Sequence, residues 1–335
     1  MACEKLGDDM PTQDEMIELL QKLYQANALS SDIAVDIERF IKRQETQGNQ
    51  KALKKWATPF GIKIPLFQPQ KTLDQYDFVG KLFFNNKFLV LMLIFWMIGI
   101  DLTVTHWQAL TNNLTDRLLA PDGLLLMAVI YPIIKIVHEF AHAFAVTKYG
   151  GKVHEMGVML LVFFPVPYVD ATAANGFSSK YRRMLVAASG ILAELTIASL
   201  ALVVWSLAED GVLKALAFYV AITAGVSSLF FNGNPLLRFD AYYVLADALE
   251  LPNLGIRSNQ HLGYLFKKFL LRLPNQLSVT DKLDEAWIFT LYGIAAFIYR
   301  IVVFIGIGLF VAQSYWFLGV IMVIWAGSVT LLLPA

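Results

Sequence analysis

The stretch Tyr131–Gly150, YPIIKIVHEFAHAFAVTKYG, decides how this chain is read. Inside an otherwise apolar helical run it carries His138, Glu139 and His142, an H-E-x-x-H pattern. On an α-helix, positions i and i+4 share one face. Two imidazoles at that spacing can grip one zinc ion, and Glu139 projects beside them as a general base. The bland alternative is a pair of packing or interfacial histidines with a snorkelling glutamate. Ionisable groups are costly in a membrane-length apolar segment and mark function there, which favours the metal.

Working outward, hydrophobic residues make up 57% of the 335 residues and charged residues only 16%. Several apolar runs are long enough to cross a bilayer, so the chain reads as a multi-pass membrane protein. The first eighty residues are polar and charged, and no cleavable signal peptide opens them. The single cysteine, Cys3, excludes an internal disulfide. Net charge is zero, so no global field draws nucleic acid.

The fold class expected is all-α and polytopic: six transmembrane helices, a membrane-dipping hairpin and a small N-terminal helical cytoplasmic region. Residues 1–83 form that region, with a capping box at Thr12 and Glu15 and apolar positions at helical spacing behind it. The stretch WATPFGIKIPLFQP then leads to the membrane as an extended segment. Residues 84–335 form the six-span core. The spans are expected at about 88–104, 124–147, 184–207, 216–231, 287–311 and 315–333, each near the ~20 residues a bilayer requires. Of the 27 lysines and arginines, Lys135 and Arg300 fall inside spans and only Arg117 and Lys214 fall on the outer side. The positive-inside rule therefore places both termini in the cytoplasm. His142 and His138 lie six and ten residues inside the end of the second span, roughly 9–15 Å below the cytoplasmic surface by helix rise. A soluble peptide scarcely reaches that depth, whereas a substrate inside the bilayer does.

Two segments around this helix carry further signal. GVMLLVFFPVPYVD, 157–170, is too short to cross as a helix and reads as a hairpin or strand dipping beside the site. It serves either to pair with an extended substrate or simply as a plug. After the fourth span, Asn232, Gly233, Asn234 and Pro235 should break the helix, and broken membrane helices mark sites. Asp240 lies just past the break and is the best remote carboxylate for a third ligand, with Asp170 and Glu155 as rivals. Glu194 either pairs with Lys135 or hydrogen-bonds in the cleft. Arg300 snorkels or pairs, and His106, His154 and His261 carry no pattern. A di-iron desaturase is excluded by ligand count, since only five histidines exist.

HEFAH on the second span and NPLLRFD at the later break resemble the site-2 proteases, zinc metalloproteases that cut within the membrane. The stretches VHEMGVMLLVFFPVPYVDA and NPLLRFDAYYVLADALELPNL are similar to a peptide zinc metalloprotease subgroup. The resemblance covers roughly residues 84–335. It implies Zn²⁺ held by His138, His142 and Asp240, with Glu139 as the catalytic base. Asn234 becomes a candidate partner for substrate or oxyanion, against a plain role capping the broken helix. The implied activity is zinc-dependent endoproteolysis of a membrane-embedded or membrane-associated peptide, in a bacterial plasma (inner) membrane. A non-proteolytic export or secretion component with a structural zinc is the alternative. The subgroup also implies a winged-helix front, only partly present here, and an adaptor-like region after the core, where this chain stops at Ala335. One departure stands out: Ala241 replaces the glycine that usually follows the aspartate. If that position needs positive φ, alanine strains it; if it is helical, alanine is harmless.

Overall fold

The computed structural model of the chain describes residues 62–161, 164–273, 278–280 and 282–332. The readings made on residues 1–61, including the capping box and the winged helix, lie outside them. The chain divides into two compact units, Met1–Pro59 and Phe60–Ala335, so residues 62–83 fold with the membrane core.

The second unit opens with strand β1 (Ile62–Phe67) and two short helices, α1 (Gln70–Gln75) and α2 (Asp77–Phe83). Leu73 and Phe84 are buried against Ala143, Val146 and Val153, which anchors this entry segment beside the end of the H-E-x-x-H helix. Helix α3 (Asn86–Thr105) follows, started by Asn85 Oδ1 accepting from Lys87 N at 3.0 Å. Its 20 residues rise about 30 Å, the thickness of a bilayer core. Only 11% of its apolar window is buried inside the protein, so Leu93, Met97 and Val104 point outward. Such a helix needs lipid around it.

Short helices α4 (Trp107–Thr111) and α5 (Leu114–Leu119) lead to α6 (Pro121–Lys148), which carries the pattern. Pro121 sits in its first turn, where its missing N–H costs nothing, and Asp122 complements the positive helix end. Its other end closes as a Schellman motif. Gly150, at φ 84, donates to Thr147 O, and Gly151 donates to Val146 O.

Strands β2 (Met156–Leu161) and β3 (Phe164–Val169) form the expected hairpin, in antiparallel register with Met156 opposite Val169. The predicted extended segment supplies β1 as a third strand on the far edge of β2, with Ile62 opposite Leu160. β3 packs on α6.

Helix α7 (Lys180–Leu207) is the hub and packs against α3, α6 and the two elements that follow it. Small residues bring these helices close: a Cβ added at Gly99 would lie 2.6 Å from Ser199 Oγ. Helix α8 (Val212–Val226) runs on as a π-helical turn over Ser227–Asn232. The chain breaks there, as Asn232–Pro235 predicted, and restarts as α9 (Asp240–Ala248). Tyr242, Leu254, Phe289 and Tyr292 then tie α9 to α10 (Leu254–Leu265) and α11 (Leu283–Ala312).

Among the described residues, five helices are long and apolar enough to cross a membrane: α3, α6, α7, α8 with its π turn, and α11. The last element, α12 (Trp316–Leu332), is a 17-residue helix packed on α11. The protein is thus a mostly helical, multi-pass chain, with one small sheet among the described residues.

Candidate metal centre

His138 and His142 share one face of α6, both buried. Asp240 reaches them from the first turn of α9, where a carboxylate suits the positive helix end. One ligand atom from each of the three lies within 4.8 Å of the others. His138 Nε2 and His142 Nε2 are 3.1 Å apart. His138 Nε2 lies 3.0 Å from Asp240 Oδ2, and His142 Nε2 lies 3.5 Å from Asp240 Oδ1.

The far side of each ring decides what those Nε2 atoms are. His142 Nδ1 donates to Val186 O on α7 at 2.8 Å, beside Ser189 Oγ at 3.1 Å. A main-chain carbonyl only accepts, so Nδ1 carries the proton and Nε2 keeps its lone pair. His138 Nδ1 faces the Glu194 carboxylate, with Oε1 at 2.9 Å, an acceptor that favours the proton on Nδ1 and a lone pair on Nε2. Two lone pairs and a carboxylate therefore converge, and Asp240 Oδ2 is buried without a hydrogen bond. Acceptors facing acceptors repel unless a cation joins them. Ligands bonded tetrahedrally at about 2.0–2.1 Å stand about 3.3 Å apart, close to the sides of this triangle. The three residues fit a metal ion.

Glu139 is half-buried and lines a cavity of about 540 Å³ together with His142 and Asp240. Lys63, Glu155, Asp170, Asn175 and Arg183 line its outer part, so the cavity turns from the buried trio to a polar mouth. Both rival carboxylates sit in that wall and are satisfied locally. Asp170 accepts from the Thr172 hydroxyl at 2.6 Å and its amide at 3.1 Å, which holds its carboxyl below the usual range. Glu155 Oε1 accepts a hydrogen bond from the Tyr168 hydroxyl, and burial with that neighbouring carboxylate pushes the phenol up to about 12. Neither joins the trio.

Asn234 lies in the break, where its Oδ1 accepts from Leu236 N at 2.9 Å and closes a local turn, while α9 begins from Phe239 without a side-chain cap. It does not line the 540 Å³ cavity. Ala241 is helical, and it is absent from the positive-φ residues, so the missing glycine strains nothing. Arg300 donates to Ala296 O on its own helix at 3.2 Å. His154 is exposed in its loop, and His261 is buried among Phe289 and Tyr264.

Glu194 does both things the sequence left open. It is fully buried, pairs with Lys135 Nζ at 2.6 Å and approaches His138. Asn232, at the end of the π turn, donates from Nδ2 to both Glu194 oxygens at 3.1 and 3.0 Å. Sequence reasoning missed Asn232, Val186 and Gly190. A backbone carbonyl leaves no signature, but Gly190 stands one turn before Glu194 and could have been read as a close approach.

Fold and site together define a class: a multi-pass helical membrane protein with a buried two-histidine, one-aspartate centre that can hold a metal. No family model, no curated protein and no solved structure matches the chain.

Proposed function

We propose that the protein is a zinc-dependent intramembrane endopeptidase of the site-2 protease type. The observation that carries this reading is the His138–His142–Asp240 triangle with Glu139 on the cavity beside it, in a helix long and apolar enough to span a bilayer. Nitrogen and carboxylate donors in a set of three leave one position open, the pattern of catalytic rather than structural zinc. Hydrolysis at that depth also needs water, and the polar-mouthed cavity offers it a path.

When bound, zinc supplies Lewis-acid polarisation of the scissile carbonyl and acidifies water. Val186 O orients the His142 imidazole so that its Nε2 faces inward. Glu139 takes a proton from the attacking water on its carboxylate and returns it to the departing amine nitrogen. Asn234 Nδ2, whose partner oxygen is engaged by Leu236 N, is a candidate donor to substrate. The substrate is a peptide within or against the bilayer, and β3 offers it an edge to pair with. In this reading α12 is a sixth span, both termini are cytoplasmic in a bacterial plasma membrane, and a secretion or adaptor protein is a partner.

The test compares wild type with Glu139→Gln in purified, lipid-reconstituted protein, reading bound zinc by mass spectrometry and cleavage of membrane peptides by proteomics. Near-stoichiometric zinc in both with cleavage only in wild type is expected. Zinc in both without cleavage in either supports the export-component alternative. Zinc lost in Glu139→Gln makes Glu139 a ligand and overturns its role as base.

A further inference from the structure

We propose that Glu194 is a positioning residue for the metal centre, fixing the orientation and tautomer of His138. The inference rests on the metal reading of the trio and adds to it a residue outside the H-E-x-x-H and Asp240 motifs.

The two imidazoles have unequal supports. His142 Nδ1 has the Val186 carbonyl. His138 Nδ1 has no main-chain acceptor, and the atom placed to serve it is Glu194 Oε1 at 2.9 Å. That contact is close but not aligned as a hydrogen bond, and His138 Nδ1 has no other partner. One face of α7 provides both halves of the arrangement. Gly190 gives the ring its room, since a Cβ there would fall 2.4–2.6 Å from three imidazole atoms. Glu194, one turn on, brings the carboxylate to the same ring.

A plain structural ion pair accounts for less of this. Lys135 Nζ bonds Oε1 alone, and Asn232 Nδ2 spans both oxygens. The carboxylate is thereby clamped in one rotamer, with Oε1 turned to His138. A buried pair whose purpose is stability is often replaceable by apolar side chains at no cost. A carboxylate that aims a metal ligand is not, because supporting groups of this kind commonly contribute 10–100-fold in metal affinity. Asn232 also ends the π turn that precedes the break, and π turns gather at functional sites. The clamp therefore joins α6, α7 and the segment leading to Asp240 at a single carboxylate.

The experiment uses full-length protein in lipid nanodiscs, stripped of metal and titrated with cobalt(II), whose visible absorption reports ligand geometry. The variants are Glu194→Gln, Lys135→Met, the double Lys135→Met/Glu194→Gln, and Ser199→Ala as a control on the same helix. Glu194→Gln is expected to bind one cobalt 10–100-fold more weakly, with altered absorption bands. The double variant, which leaves no uncompensated buried charge and so protects folding, is expected to stay equally weak. Ser199→Ala should match wild type. Wild-type affinity and spectrum in Glu194→Gln overturn the inference, and so does a double variant restored to wild type, which would reduce Glu194 to neutralising Lys135. A wild type that binds no cobalt removes the metal reading, and this inference with it. Cobalt binding without peptide hydrolysis removes only the proteolytic reading and leaves the role of Glu194 to be judged on affinity and spectrum.

Discussion

Asp240 differs from Glu155 and Asp170 in what its oxygens meet. Asp170 is satisfied by Thr172 and Glu155 by Tyr168, whereas Asp240 Oδ2 is buried among acceptors. Removing a metal ligand therefore differs in kind from removing a cavity-wall carboxylate. Asp240→Ala is expected to lower zinc affinity by more than the 10–100-fold typical of supporting groups, while Asp170→Ala and Glu155→Ala leave it within that range. Equal zinc affinity in Asp240→Ala and wild type, by chelator competition, would falsify the assignment. Ala241 yields a second prediction. Because it is helical, Ala241→Gly should gain no metal affinity and should lose about 0.5–1 kcal/mol of stability in denaturant titration. A gain in affinity would mean that the alanine strains the site after all. At this scale the sequence was largely legible: i, i+4 spacing needs only a helix, and the break marked Asp240. What it hid were supports without side-chain identity, such as the Val186 carbonyl, and contacts set by the helix crossing, such as Asn232 to Glu194.

Helices α6 and α7 meet where Gly190 faces His138, and that crossing sets the site. A methyl at position 190 has nowhere to go without moving an imidazole or spreading the two helices. Gly190→Ala should cost about 1–3 kcal/mol, as overpacking does, and weaken metal binding along with it. Gly176→Ala is the comparison, since nothing lies within 4 Å of a Cβ there. If Gly190→Ala unfolds and binds metal like wild type, the close packing of the crossing is not what positions His138. Element boundaries were readable wherever composition alone decides them. Asn86–Thr105, Pro121–Lys148 and Lys180–Leu207 each contain the span expected and exceed it by no more than four residues at an end. The hairpin was readable too, because its apolar run is too short to cross and is broken by prolines. The pairing of β1 with β2 was not. Those strands lie far apart in the chain, and nothing in IKIPLF names its partner. The π turn at Ser227–Asn232 also left no trace, because its residues would serve equally well in an ordinary helix.

Across the whole molecule, the surfaces of the spans and the mouth of the cavity face different solvents. Met97 is 66% exposed on an apolar helix long enough to span a membrane, a surface that suits lipid rather than water. Thr172 is exposed at the polar mouth of the 540 Å³ cavity. Trp107, 60% exposed, sits just past the other end of α3, where aromatic residues anchor a helix at the interface. In the topology proposed above, which rests on lysine and arginine placement, the mouth faces the cytoplasm and Trp107 the opposite side. The chain has one cysteine, so a Cys3→Ser background gives a clean set of single-cysteine probes. In sealed vesicles of known orientation, a membrane-impermeant maleimide should label Thr172→Cys only from the cytoplasmic face and Trp107→Cys only from the other. Met97→Cys should resist it from both faces and yield to a lipid-soluble maleimide. Labelling of Thr172→Cys and Trp107→Cys from the same face would mean that α6, the long helix between them in the chain, does not cross, and the 9–15 Å depth assigned to the trio from helix rise would fall with it. Ready aqueous labelling of Met97→Cys would point instead to a partner or a water-filled groove along α3, because a helix so little buried in its own protein must be covered by something.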